Sequence, residues 1–81
     1  MAVNIGDRVG AILEADKETV HLLGYGVYEG EHLLPDCPIK NPKILLDDGN
    51  VVWGYQCWWA AEDKVRERIG NRTVVAATLN D

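Results

Sequence analysis

No phenylalanine occurs in these 81 residues, and cysteine, proline and methionine are scarce. Tryptophan and tyrosine therefore carry all the aromatic packing. Each brings an N–H or O–H that needs a partner when buried, so part of the aromatic set is expected near a surface or a subunit interface. Neither a CxxC nor an HxxxH pair links the candidate ligands His21, His32, Cys37 and Cys57. Zinc sites use such close pairs, so no metal is expected. "GYG" and "GDRVG" match neither a dinucleotide fingerprint nor a P-loop, and no cofactor is expected. Basic excess is missing too: 8 Lys and Arg stand against 13 Asp and Glu, for a net charge of −5. Direct nucleic-acid binding and docking to anionic membranes are both disfavoured. No apolar run approaches the ~20 residues that span a bilayer. "MAVNIGDRV" has no basic n-region or apolar h-region. The expected compartment is the cytoplasm, with both cysteines as free thiols.

What remains is the material of one small domain, residues 1–81. A chain of this length buries about 60–65% of its unfolded surface, so its stability margin is thin, on the order of 5 kcal/mol.

"GDRVGAILEAD" opens with period-2 alternation. Val9, Ala11, Leu13 and Ala15 make an apolar odd face, which predicts a strand. "ADKET" is a polar turn in which Asp16 bonds forward to the backbone. "TVHLLGYGVYEGE" favours strand but is long for one. Gly24 and Gly26 resolve this by bending it, so that it passes from one sheet to the next, and Gly30 ends it. "EHLLPDCPIKNPK" holds all three prolines and reads as an extended loop of roughly ten residues. "DDGN" joins two β-rich runs as a hairpin. In the second run the odd positions Val51, Trp53, Tyr55, Cys57 and Trp59 form the heavier apolar face and are expected inward, with Gln56 and Trp58 facing the other way. "AAEDKVRERIG" is a short helix with the stripe Ala61, Val65, Ile69, acids in its first turn and Arg66 and Arg68 near its last. Gly70 stops it, and "RTVVAATLN" closes as a strand. The expected fold is mainly β with one short helix (α+β), a small five-stranded SH3-like half-open barrel. Its strand edges favour pairing between copies.

Among candidate sites, Cys57 sits in apolar company and reads as a small buried hydrophobe rather than a nucleophile. Cys37, in "DCP", is the more exposed thiol, and Asp36 works against its ionisation. Glu29, Glu31 and Asp36 share a loop region with Tyr28 and His32, and a carboxylate–histidine pair there would suit acid–base work. Tyr25 and Tyr28 border the glycine bend. Together with Trp58, Gln56 and Glu29 they form the candidate surface for a protein, peptide or cation. Trp53→Ala is expected to unfold the domain, and Trp58→Ala to affect assembly or ligand binding instead.

"GDRVGAI…GYGVYEGE…P", "NPKILLDDGNVVWGYQCWW" and "AEDKVRERI" together resemble a family of small uncharacterised bacterial and phage proteins, also carried on mobile integron gene cassettes. That family's hairpin resembles "DnGxVVWGCECWWGPEEKV". Here Tyr55 stands for a cysteine, Gln56 for a glutamate and Ala60-Ala61 for Gly-Pro. The resemblance implies no catalytic residue.

Three functions follow as expectations. The first is a non-enzymatic binding module that self-associates through its aromatic surface or strand edges, with a protein or small-molecule partner. The second is an acidic phage-type inhibitor that mimics nucleic acid and needs aligned surface carboxylates. The third is a small enzyme using Glu29, Glu31 or His32.

Overall fold

A computed structural model describes residues 3–36 and 38–79 of the chain. Its strands are β1 (Arg8–Ala15), β2 (Thr19–Leu33), β3 (Lys40–Leu46), β4 (Val51–Trp53), β5 (Trp58–Ala61) and β6 (Thr73–Ala76). A 3₁₀ turn, Gly54–Gln56, separates β4 from β5, and the helix α1 (Glu62–Ile69) follows β5. Cys37 lies outside the described residues.

The antiparallel order is β4-β3-β2-β1-β5, and β6 runs parallel to the first part of β2. β4 and β5 stand at opposite ends of that order, yet only residues 54–57 separate them. Five residue steps reach at most ~17 Å, so the sheet must curl until its two ends approach. The 3₁₀ turn bridges them, and no ladder closes the sheet among the described residues. The result is the mainly β, SH3-like half-open architecture with one helix that the sequence predicts.

Local chemistry sets each element. Asp16 turns β1 into β2 by accepting the N–H groups of Glu18 and Thr19, at 2.8 and 2.7 Å. β2 is the spine of the fold. Residues 19–22 pair with β6 and residues 26–33 with β3, while β1 flanks both parts. The change of partner falls at the expected glycines, but within one continuous sheet rather than between two. Gly24 takes φ +143°, and at Gly26 a Cβ would overlap the Leu45 carbonyl oxygen and lie 2.6 Å from the Leu46 Cα. Only glycine allows β3 to approach there. In the β3–β4 hairpin Asp48 Oδ1 accepts the Asn50 N–H at 2.9 Å, as "DDGN" suggested.

Two apolar layers hold the sheet. Inside the curl, Val9, Ala11, Leu23, Tyr28, Ile44, Leu46 and Val52 are buried together, with Cys57 and Trp59 packed against them. The Tyr28 and Trp59 rings stack there, centroids 5.2 Å apart and planes 18° from parallel. On the outside, α1 covers β1 and β2 with Val65 and Ile69, which meet Ile12 and Val20. Gly70 ends the helix, its N–H bonding the Arg66 carbonyl at 3.1 Å.

Three sequence expectations need correction. β1 is buried on both faces from Val9 to Ile12, whereas Leu13 and Ala15 are exposed. The helix covers Ile12 on the even face, which alternation left mixed, and register shifts around Ile12 break the period. The proline-bearing segment is not a loop throughout: β2 runs on to Leu33 and β3 begins at Lys40, leaving only residues 34–39 between them. Last, residues 51–59 are not one strand. Val52 is buried, while Val51 is 40% and Tyr55 64% exposed, and Trp53 belongs to neither core layer. The 3₁₀ turn shifts the phase, so the inward positions are even before it and odd after it.

Candidate functional site

The exposed aromatic surface grows out of this phase shift. Once Cys57 and Trp59 turn toward the core, Trp58 must face out, and it remains 40% exposed. It pairs with Ile12 across β1–β5, on the face that carries α1. The Arg68 guanidinium of the helix lies 4.5 Å from the Trp58 ring centroid. Such a pair draws on the negative face of the indole.

A second arginine–aromatic pair lies on the same helix. Arg66 covers the Tyr25 ring at 4.4 Å. That ring also lies against Gly10, where a Cβ would lie 2.8 Å from a ring carbon. Tyr25 thus meets both a strand backbone and a guanidinium, and it closes a ring of interactions. Its carbonyl accepts the Asp47 N–H at 2.9 Å. The Asp47 carboxylate accepts two 2.7 Å bonds from Arg8. Arg8 Nε donates to Glu62 at 3.1 Å, and Glu62 Oε2 accepts Arg66 Nη2 at 2.8 Å. Asp47 and Glu62 are both held below the usual carboxylate range, Asp47 by its bonds from Arg8, Glu62 by those from Arg66 and then Arg8. Arg8 is held above its ordinary value by the same bonds. A shallow concavity of about 360 Å³ lies over Arg8, Glu62, Asp63 and Arg66.

The other sequence candidates separate. Tyr28 is in the core, not on the rim, because its ring stacks on Trp59. Gln56 turns back on its own 3₁₀ turn, where its Oε1 accepts the Trp53 N–H at 2.9 Å. Glu29 is on β2 and pairs with Lys43 at 3.7 Å. His32 donates from Nε2 to the Glu29 backbone carbonyl at 2.9 Å, and its ring does not meet the Glu29 carboxylate. Glu31 and His32 are both exposed. Burial pushes the Cys57 thiol up to about 11. Its Sγ donates to the Trp53 carbonyl at 3.6 Å, and so protonated a thiol is a poor nucleophile near neutral pH. Among the described residues, no three His, Cys, Asp or Glu side chains gather to hold a metal ion.

Sequence reading missed two features. Tyr55 stands out on the 3₁₀ turn beside Leu34, Pro35 and Asn41, around a concavity of about 350 Å³. Only knowledge of the turn would have exposed it. The arginines were missed as well. The Glu62/Arg66 spacing of i, i+4 was a readable signal, but nothing local links Arg8 to Asp47. Comparison of the chain with protein-family models, with curated proteins and with solved structures gives no match. No helix among the described residues is long and apolar enough to cross a membrane.

Proposed function

We propose that this chain is a cytoplasmic, non-enzymatic binding module that self-associates and presents Trp58 to a protein or small-molecule partner. Membership of the small bacterial and phage family it resembles is part of the same proposal. The observation that carries it is the exposed Trp58 ring held beside Arg68. Tryptophan and arginine are the residues most enriched where interfaces concentrate their binding energy, and a ring already held by its neighbour loses little freedom on binding.

The acidic-mimic reading draws less support, because Asp47, Arg8, Glu62 and Arg66 alternate in sign where a mimic needs unbroken carboxylates. The enzyme reading draws less still, since Glu29 and His32 are engaged separately.

The test compares proteins captured from cell extract by the wild type and by Trp58→Ala, both verified as folded by circular dichroism. Loss of specific partners in the variant is expected. An unchanged set would refute the role of Trp58. Light scattering after size exclusion tests self-association, which a monomer at all concentrations would refute.

A further inference from the structure

β6 is the most exposed strand of the fold, although Ala77 and Leu79 just after it pack against the inner core. All four of its residues are exposed, with Val74 at 46% and Val75 at 41%. Successive side chains point to opposite faces, so β6 is partly exposed on both faces. One edge pairs with β2, and among the described residues β6 has no other strand partner. The free edge can be assigned by atom. Thr73 and Ala77 donate their N–H groups to Glu18 and Leu22 of the β2 side, both at 2.9 Å. By alternation, the N–H and C=O groups of Val74 and Ala76 point away from β2.

Edges of this kind are normally guarded by lysine, proline or a bulge. Here "TVVAATL", residues 73–79, is β-branched and carries neither charge nor proline. The other ends of the sheet are less open: β4 is three residues long, and β5 runs directly into α1. In a chain of net charge −5, an uncharged edge is where two copies can approach with little like-charge repulsion, and β6 is such an edge.

We infer that the outer edge of β6 pairs antiparallel with the β6 of a second copy of this chain, across a two-fold axis at Val75. This deepens the self-association in the proposed function and rests on it. The register follows from the outward groups. In an antiparallel ladder, residues that exchange both bonds must both point at the partner. Val74 therefore faces the partner's Ala76, Ala76 faces the partner's Val74, and Val75 meets the partner's Val75 as a close non-hydrogen-bonded pair. β-branched side chains pack well in such pairs. The Arg72 guanidinium stays out of the junction, tied to the carbonyls of Asp16, Arg68 and Ile69. Each copy has one such edge, so the pairing closes at a dimer rather than a fibre.

The experiment is sedimentation and light scattering over a wide concentration range, with variants aimed at the junction. Val75→Lys sets two ammonium groups opposite each other, across Cα atoms about 4.5 Å apart, and is expected to weaken dimerisation about tenfold or more. Mixing Val75→Lys with Val75→Glu is expected to restore a mixed dimer. Val74→Pro removes an outward N–H without touching the bonds to β2, and is expected to weaken the dimer while the fold survives. Hydrogen exchange of the wild type adds a readout that needs no variant: the Val74 and Ala76 amides slow as concentration rises, and those of Thr73 and Val75 do not. A wild type that stays monomeric overturns both this inference and the self-association it rests on. A dimer that survives these variants, with no concentration-dependent protection at Val74 and Ala76, overturns the β6 edge alone. If Trp58→Ala then dissociates that dimer, self-association stands and belongs to the aromatic surface.

Discussion

Replacing Trp59 by alanine probes the point on which the fold of the aromatic segment turns. Trp59 packs against the inner core and stacks on Tyr28 at 5.2 Å. A partly buried indole removes roughly 100–150 Å² from water, worth about 2.5–4 kcal/mol at ~25 cal/mol per Å². The stacked geometry adds about 1 kcal/mol. The expected loss, about 3–5 kcal/mol, is typical of tryptophan truncation in a core. An 81-residue domain holds roughly 4–12 kcal/mol in total, so the variant should lie near or below the limit of folding. Any residual melting point should fall by roughly 15–30 °C. Trp53→Ala, whose side chain belongs to neither core layer, should cost only about 1–2 kcal/mol. Urea titration followed by far-ultraviolet circular dichroism, at one fixed protein concentration because the proposed self-association would add stability, gives both values. Equal losses for the two variants, or a loss under about 1 kcal/mol for Trp59→Ala, would refute the phase shift at the 3₁₀ turn.

Two further outcomes follow. Gly26→Ala forces a Cβ into the Leu45 carbonyl, and since backbone cannot yield as a side chain does, a loss of about 3 kcal/mol or more is expected in thermal melts; a wild-type melting point would contradict the close approach of β2 and β3. Asp16, Asp47 and Glu62 are all depressed below their ordinary values of 3.8, 3.8 and 4.5. Their folded forms hold protons less readily than the unfolded chain, so their stabilisation is complete above those ordinary values and disappears as pH falls through the depressed ones. In Arg8→Ala, Asp47 should return toward its ordinary value and Glu62 part of the way, as read by NMR titration, while Asp16 stays depressed; unchanged titration of Asp47 would refute its pairing with Arg8.

Much of the fold was legible because local chemistry decides it. Asp16 at the first turn, the glycines at the bend of β2, "DDGN" at the hairpin, and the Val65/Ile69 stripe with Gly70 behind it each act within a few residues. What misled was periodicity carried too far. Residues 51–59 alternate well enough on paper, and nothing short of the 3₁₀ turn tells the reader that the phase resets at Gly54. There a Cβ would lie 2.8 Å from both Pro42 and the Trp59 indole nitrogen, so the glycine serves Trp59 from five residues away. The burial of Ile12, on the mixed even face of β1, was not legible for a related reason, since α1 covers it from more than fifty residues downstream. At the candidate surface, the outward direction of Trp58 was legible from its neighbours' parity. The burial of Tyr28 was not, because it depends on a ring from another strand.

The ring Asp47–Arg8–Glu62–Arg66–Tyr25 gives the aromatic surface its geometry. Each exposed ion pair contributes little by itself, because water and salt screen it. Joined end to end, however, they connect the hairpin turn, β1, the start of α1 and β2. They tie to the sheet an eight-residue helix whose buried residues are Val65 and Ile69. The rotation of that helix sets where Arg68 stands relative to Trp58. A helix free to roll would leave the indole without its guanidinium, and a partner would have to order both on binding. With the ring intact the two are already in place, which is the condition under which a small exposed surface binds well. In the proposed function, Arg8, which touches neither Trp58 nor Arg68, therefore acts on the surface through the helix it is tied to.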